Sequence, residues 1–403
     1  MSAPDPARPR VVALYLPHFY PEVWGSVAPT PISGATAAEP GAWQQLAKAQ
    51  PLFPGHEQPR APADLGYCDL RVPEVRQAQT DLARAYGIDA FCYLHDWSAG
   101  QRRFARPFDE MLASGEPDFP FCLCWANESR TLADLSSAQA RADDRAHATF
   151  LAAAFADPRY LRMGSRPVFV VRQPQELADP AGTLGAIREA AARRGVGDPL
   201  LLAAGGEAGH AGVGGLGGIG DVGGIAAGSA GGFDAELDWP RLERESAAPQ
   251  SVEREPAPST LGNLVRHRRW LPHLAVEGER AARRRLLARP APGGQIPVVL
   301  AGWDDSPVRG RAGTVFTGRR PELFESDLLA ALRHAESSPA SNRMVFVYAW
   351  NGWLQGAALE PDRRFGRAYL AAIARARIQA TAVPEGGITT SDRGVASGRG
   401  RPQ

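Results

Sequence analysis

The chain has 403 residues, 44% hydrophobic and 22% charged, an ordinary globular balance. Its formal net charge of +1 excludes a global basic field for nucleic acid. Four cysteines, Cys68, Cys92, Cys122 and Cys124, are too few for a disulfide scaffold and lack the spacing of a zinc site.

Residues 1–10 are polar and Pro-rich, with no apolar signal-peptide core. No apolar run approaches the roughly 18–20 residues a membrane span needs. The expectation is a flexible N-terminus on a cytoplasmic protein without a membrane span. Eight short apolar runs follow: Val11–Pro17, Asp89–His95, Phe119–Asn127, Arg166–Arg172, Pro199–Gly205, Phe233–Trp239, Ile296–Trp303 and Arg343–Asn351. Most are nearly continuous, as strands buried on both faces read. Phe233–Trp239 is the weakest, with three acidic residues in seven. Helical stretches fit Val72–Tyr86, Ser136–Ala156, Ala181–Arg194, Pro321–Ala335 and Phe365–Arg377. The first has Pro73 in its opening turn and Gly87 just past its end.

This alternation predicts an α/β fold, a (β/α)8 TIM-type barrel over residues 11–378, with long insertions after strands 1, 5 and 6. A doubly wound open sheet is the alternative. The insertions are residues 18–71, 205–232 and 240–295. The first, rich in Pro, Gly and aromatics, reads as a functional connection or lid. The second is half glycine, so its Gly212-x-Gly214-x-x-Gly217 pattern reads as a chance match within a flexible loop. The third holds an Arg-rich amphipathic stretch around Leu264–Leu287. It reads as a solvated helix outside the barrel, or as a surface for an acidic partner or anionic lipid. Residues 379–403 lack hydrophobic period and are predicted to be a disordered tail.

In such a barrel the active site lies where strands end. Those ends carry His18 and Tyr20; His95, Asp96 and Trp97; Trp125, Asn127 and Glu128; Trp303 and Asp304; Asn351 and Trp353. Indoles stack on the apolar faces of sugar rings, while acids and amides satisfy hydroxyls. The pattern predicts a site for an oligosaccharide or polysaccharide. Glycoside hydrolysis uses two carboxylates, and Asp96 and Glu128, on consecutive strands, are the candidate catalytic pair. His18, Tyr20, His95, Trp97, Trp125, Asn127, Trp303, Asp304, Asn351 and Trp353 are the candidate substrate-binding residues. No GxSxG elbow, Walker loop or HExxH helix is present, and the Asp304-Asp305 pair reads as a turn cap. No metal or cofactor is expected.

The runs Pro51-Leu52-Phe53-Pro54-Gly55-His56 and Pro62-Ala63-Asp64-Leu65-Gly66-Tyr67-Cys68-Asp69-Leu70-Arg71 resemble the WbsX family. So do Gly87–Tyr93, Phe119–Glu128, Gly302–Pro307, Ala349–Asn351, Leu359–Asp362 and Gly366–Leu370, in order over roughly residues 10–375. Proteins of that family occur in polysaccharide and O-antigen synthesis loci, are labelled glycosyltransferases, and have a domain like glycoside hydrolase family 99. The resemblance implies a (β/α)8 barrel acting on glycans.

The departures concern chemistry. The family's eighth strand ends Asn-Glu-Trp-x-Glu-Gly, and in the related hydrolases those glutamates are the catalytic pair. Here the segment is Asn351-Gly352-Trp353-Leu354-Gln355-Gly356. The second strand, usually ending His-Tyr-Trp, ends His95-Asp96-Trp97. Three readings follow: a catalytically degenerate glycan-binding barrel, an active glycosyltransferase or glycosidase using Glu128 and Asp96, or a non-catalytic scaffold in polysaccharide assembly.

Overall fold

The computed structural model describes residues 8–20, 41–127, 137–204, 232–239, 275–278 and 295–381. Its frame is eight strands: β1 (Arg10–Tyr15), β2 (Ala90–Ser98), β3 (Phe121–Trp125), β4 (Arg166–Val171), β5 (Leu200–Ala204), β6 (Ala235–Asp238), β7 (Ile296–Leu300) and β8 (Met344–Tyr348). Each pairs in parallel with the next, and β8 pairs with β1, so the sheet closes into the expected barrel. Except for β2, which runs on past His95, the strands are shorter than the apolar runs that announced them. In most, the last residues of the run leave the sheet and build the C-terminal mouth.

Seven helices are used below: α1 (Ala42–Lys48), α2 (Pro73–Ala85), α3 (Arg106–Ser114), α4 (Ser137–Phe155), α5 (Pro180–Arg194), α6 (Pro321–Glu336) and α7 (Ala368–Thr381). Helix α5 shows the local logic. Asp179 caps its start by accepting from Gly182 N at 2.9 Å, and Gly195, at φ 71°, ends it in the left-handed region. The sequence reading did not anticipate α1 or α3. It expected a helix around Leu264–Leu287, but Ala275–Gly278 form a strand parallel to Thr314–Thr317. The remainder of that stretch, the glycine pattern at 212–217 and residues 382–403 lie outside the described residues. Among the described residues no helix is long and apolar enough to cross a membrane.

Strand register decides which side chains face the axis, because successive residues alternate sides. Phe91 and Tyr93 of β2 meet Phe119, Phe108 and Phe121, and Tyr15 of β1 bonds Gln79 of α2 at 2.6 Å, so these residues point outward beneath the helices. The alternate set points inward. It includes Leu14, Cys92, Leu94, Cys124, Val170, Leu202, Leu237, Phe346 and Tyr348. Cys92 lies against Cys122 and Cys124, and all three are fully buried small residues filling the axis. Burial first, and then these neighbouring thiols, raise the Cys92 thiol well above its ordinary value.

Candidate functional site at the barrel mouth

The same alternation sorts the strand-end residues. Asp96 of β2 shares the inward parity of Cys92 and Leu94. Strand β2 runs on into a hairpin with Gln101–Arg103, which sets Asp96 opposite Arg103. Arg103 Nε donates to Asp96 Oδ2 at 2.6 Å, so the acid enters the mouth as a buried ion pair. Beside this hairpin, His18 stacks on Phe19 with ring centroids 4.6 Å apart and tilts toward Phe104 at 5.6 Å. Burial pushes its imidazole down to about 4, so it is neutral at physiological pH. Its Nδ1 is buried with no partner among the described residues. Tyr20 lies under the Arg71 guanidinium, 5.3 Å from the ring centroid.

On the other side of β1 from Asp96, Tyr348 ends β8 facing inward. Trp303, after β7, and Trp239, after β6, pack on it at 5.5 and 5.7 Å. Trp303 is 2% exposed and its indole Nε1 has no partner among the described residues. The next residue turns the other way. Asp304 Oδ2 accepts from Gln58 Nε2 at 2.6 Å and meets His56 Nε2 at 3.0 Å, while Oδ1 accepts from Ser306 N and Oγ. Asp304 therefore pins the connection after β1 to the mouth and caps the short turn Ser306–Arg309.

His95, Trp97 and Trp125 lie elsewhere, in the layer between the strands and α4. His95 Nε2 is 3.0 Å from His147 Nε2, Trp97 Nε1 donates to Asp143 Oδ1 at 2.8 Å, and Trp125 packs edge-on to His147 at 4.5 Å. His147 and Asp143 both belong to α4. Desolvation first, and then the Arg102 charge, hold the His95 imidazole well below its ordinary value.

Asn127 and Asn351 hold backbone on both sides of their amides. Asn127 accepts from Gln173 N at 2.8 Å and donates to Gln173 O at 2.6 Å, tying the exits of β3 and β4. Asn351 accepts from Leu16 N at 2.8 Å and donates to Leu16 O at 2.9 Å, tying those of β8 and β1. Trp353 is buried beneath α2, where its Nε1 donates to Glu360 Oε2 at 2.6 Å. Glu128 lies outside the described residues.

The loop after β8 is compact. Ala349 N donates to Ala357 O and Leu359 N to Ala349 O. Gly352 has little room: a Cβ there would lie 3.2 Å from Ala349 Cβ and 3.4 Å from Ala357 Cβ. The Gln355 backbone oxygen accepts from Asp304 N, and its side-chain Oε1 is buried without a partner among the described residues.

The sequence reading missed Tyr348 and Arg172. Arg172 follows β4 with inward parity and is 6% exposed. Counting inward parity along each strand would have flagged both, but that count needs a register, which continuous apolar runs do not reveal. Among the described residues no group of three or more His, Cys, Asp or Glu is arranged to hold a metal ion.

The family model for glycosyltransferase WbsX matches residues 11–373. The chain belongs to the WbsX family. Curated relatives named "uncharacterized protein WxcX", from two strains of Xanthomonas campestris pv. campestris, are 30% and 31% identical over 394 and 393 residues. Each alignment covers 94% of this chain and 51% of the relative, so the WbsX-family chain spans about half the length of the curated relatives it matches. Among solved structures, the endo-alpha-mannosidase of glycoside hydrolase family 99 from Bacteroides thetaiotaomicron, in complex with bis-tris propane, aligns with 92% of this chain and 97% of its own. Its sequence identity is 12% and its TM-score 0.49.

Proposed function

We propose that this chain recognises an oligosaccharide or polysaccharide at the C-terminal mouth of its barrel, within polysaccharide metabolism, and that it lacks the carboxylate pair of its hydrolase cousins. The observation that carries this reading is the loop after β8. Where the resemblance to glycoside hydrolase family 99 places two glutamates, the chain has Gly352 and Gln355. The methyl groups of Ala349 and Ala357 close around Gly352, so the loop is packed for glycine. Losing a general acid or base typically costs roughly 10²–10⁴-fold in rate.

Binding has support of its own. Trp239, Trp303 and Tyr348 bring three rings to one wall, and such rings stack on the apolar faces of sugars. Three buried polar atoms at the strand exits, His18 Nδ1, Trp303 Nε1 and Gln355 Oε1, lack partners among the described residues. Buried polar groups in native proteins are normally paired, and sugar hydroxyls both donate and accept.

A second reading, an active transferase or glycosidase using Asp96 and Glu128, draws support from the inward parity of Asp96. Against it, Arg103 holds the Asp96 carboxylate in an ion pair. The test is calorimetric titration with mannose-type oligosaccharides, together with a product assay on the same samples. Saturable binding without product, weakened at least tenfold by Trp303→Ala, is the expected result. Turnover that disappears in Asp96→Asn and Glu128→Gln would replace the first reading with the second. Absence of any sugar binding would discard both.

A further inference from the structure

Outside the axial mouth, the connection after β1 meets the segment after β7 around a small cavity. Arg60, Asp304, Phe316, Gly318 and Arg319 are among its walls, and its volume is about 30 Å³. That is room for a small polyatomic group and not for a sugar ring.

Two guanidiniums flank it. The Arg60 side chain is 8% exposed and that of Arg319 is 3% exposed. Each has one carboxylate, at the long end of ion-pair range. Arg60 stands 3.9 Å from Asp304, and Arg319 stands 3.8 Å from Asp362. Both acids also serve other donors. Asp304 is satisfied by His56, Gln58 and Ser306, and Asp362 Oδ1 accepts from Arg364 N and Phe365 N. Glu57, also in the wall, pairs with Arg364. The arginines are held in place by other means. Arg60 donates to Gly356 O, while Arg319 donates to Tyr369 Oη at 3.2 Å and lies over the Tyr369 ring at 4.7 Å. This leaves Arg60 Nε and Arg319 Nη2 buried with no partner among the described residues. Burial, and then the like charge of Arg319, hold the Arg60 guanidinium well below its ordinary value, a repulsion that a bound anion would relieve.

We propose that this cavity is a binding site for a tetrahedral oxyanion, a phosphate group received by Arg60 and Arg319. Arginine suits this role because its planar donors match phosphate oxygens and it stays charged. The size limit implies that any sugar or nucleoside carrying the phosphate lies outside the cavity. The site is independent of the glycan reading, since phosphate binding can be measured with no glycan present.

The experiment uses the full chain at constant ionic strength. Thermal unfolding and calorimetry are followed against inorganic phosphate, with chloride as the matched control. A hexose 1-phosphate and a nucleoside diphosphate form two further arms. The expected result is a saturable rise in Tm with phosphate, and an affinity at least tenfold lower in Arg319→Gln. Because Arg319→Gln removes a buried anchor, Thr317→Tyr is the companion variant. It fills the cavity from its edge without removing a charge, and should also abolish the shift. Tighter binding of the hexose phosphate or of the diphosphate identifies the carrier, and equal affinities identify free phosphate as the ligand. No saturable effect beyond chloride on the native chain, or an effect retained in both variants, would overturn the assignment.

Discussion

Replacing Glu360 by glutamine should flatten the pH dependence of stability and strengthen the fold above neutrality. Glu360 is buried beneath α2, where Oε1 accepts from Gln79 Nε2 at 2.6 Å and Oε2 from Trp353 Nε1 at 2.6 Å. Desolvation outweighs these bonds and raises its carboxyl from 4.5 to about 7. A shift of that size corresponds to about 3 kcal/mol at 1.36 kcal/mol per pH unit. The folded state binds the proton more tightly than the unfolded chain does. This group's contribution is therefore fully present below pH 4.5 and is lost as pH rises through 7. The Glu360→Gln side chain can be satisfied in place. Its oxygen accepts from Trp353, and its amide donates to Gln79 if that side chain flips, with the Tyr15 hydroxyl turning from donor to acceptor. Urea denaturation of both proteins at half-unit steps from pH 5 to 8 measures the difference. The variant should match the native chain near pH 5 and exceed it by about 2–3 kcal/mol at pH 8. A difference independent of pH, or one that grows toward acid, would refute the reasoning.

Other expectations can be checked alongside. Asn351→Ala should cost about 2–4 kcal/mol in urea denaturation, because it strips partners from both the N–H and the C=O of Leu16 inside the barrel exit. Asn127→Ala should behave similarly at Gln173, somewhat less severely because that site is only part-buried. The double variant Gly352→Glu with Gln355→Glu should gain no glycosidase activity unless Ala349 and Ala357 are also reduced to glycine, as a product assay would reveal. All four thiols should resist an alkylating reagent in the native chain and react only on unfolding. Cys68, the most exposed, is 8% accessible and its thiol is pushed up to about 12, chiefly by burial.

The barrel was legible because its strands are buried on both faces and its helices carry proline, aspartate and glycine at their ends. That double burial also hid the site. A run such as Ala90–Ser98 carries no period-two signal, so nothing in its letters tells whether Asp96 or Trp97 faces the axis. The register answers it: Asp96 turns inward with Leu94, and Trp97 turns outward onto α4. Trp125 and His95 follow Trp97 for the same reason. The chemistry of asparagine was read as hydroxyl recognition at two strand exits where the fold uses it as a backbone mimic. The arginine cavity left no local trace at all, because Arg60 and Arg319 arrive from connections far apart in sequence.

The segment that carries Gln58 and Arg60 has a further consequence for how the molecule is made. Its anchoring bonds reach forward 246 residues from Gln58 to Asp304 and 296 from Arg60 to Gly356. At a ribosomal pace of about 5–20 residues per second, the anchors emerge some ten seconds to a minute later. Through that interval Gln58 and Arg60 lack these two partners, so this part of the connection after β1 locks in place only once the last strands of the barrel have been made.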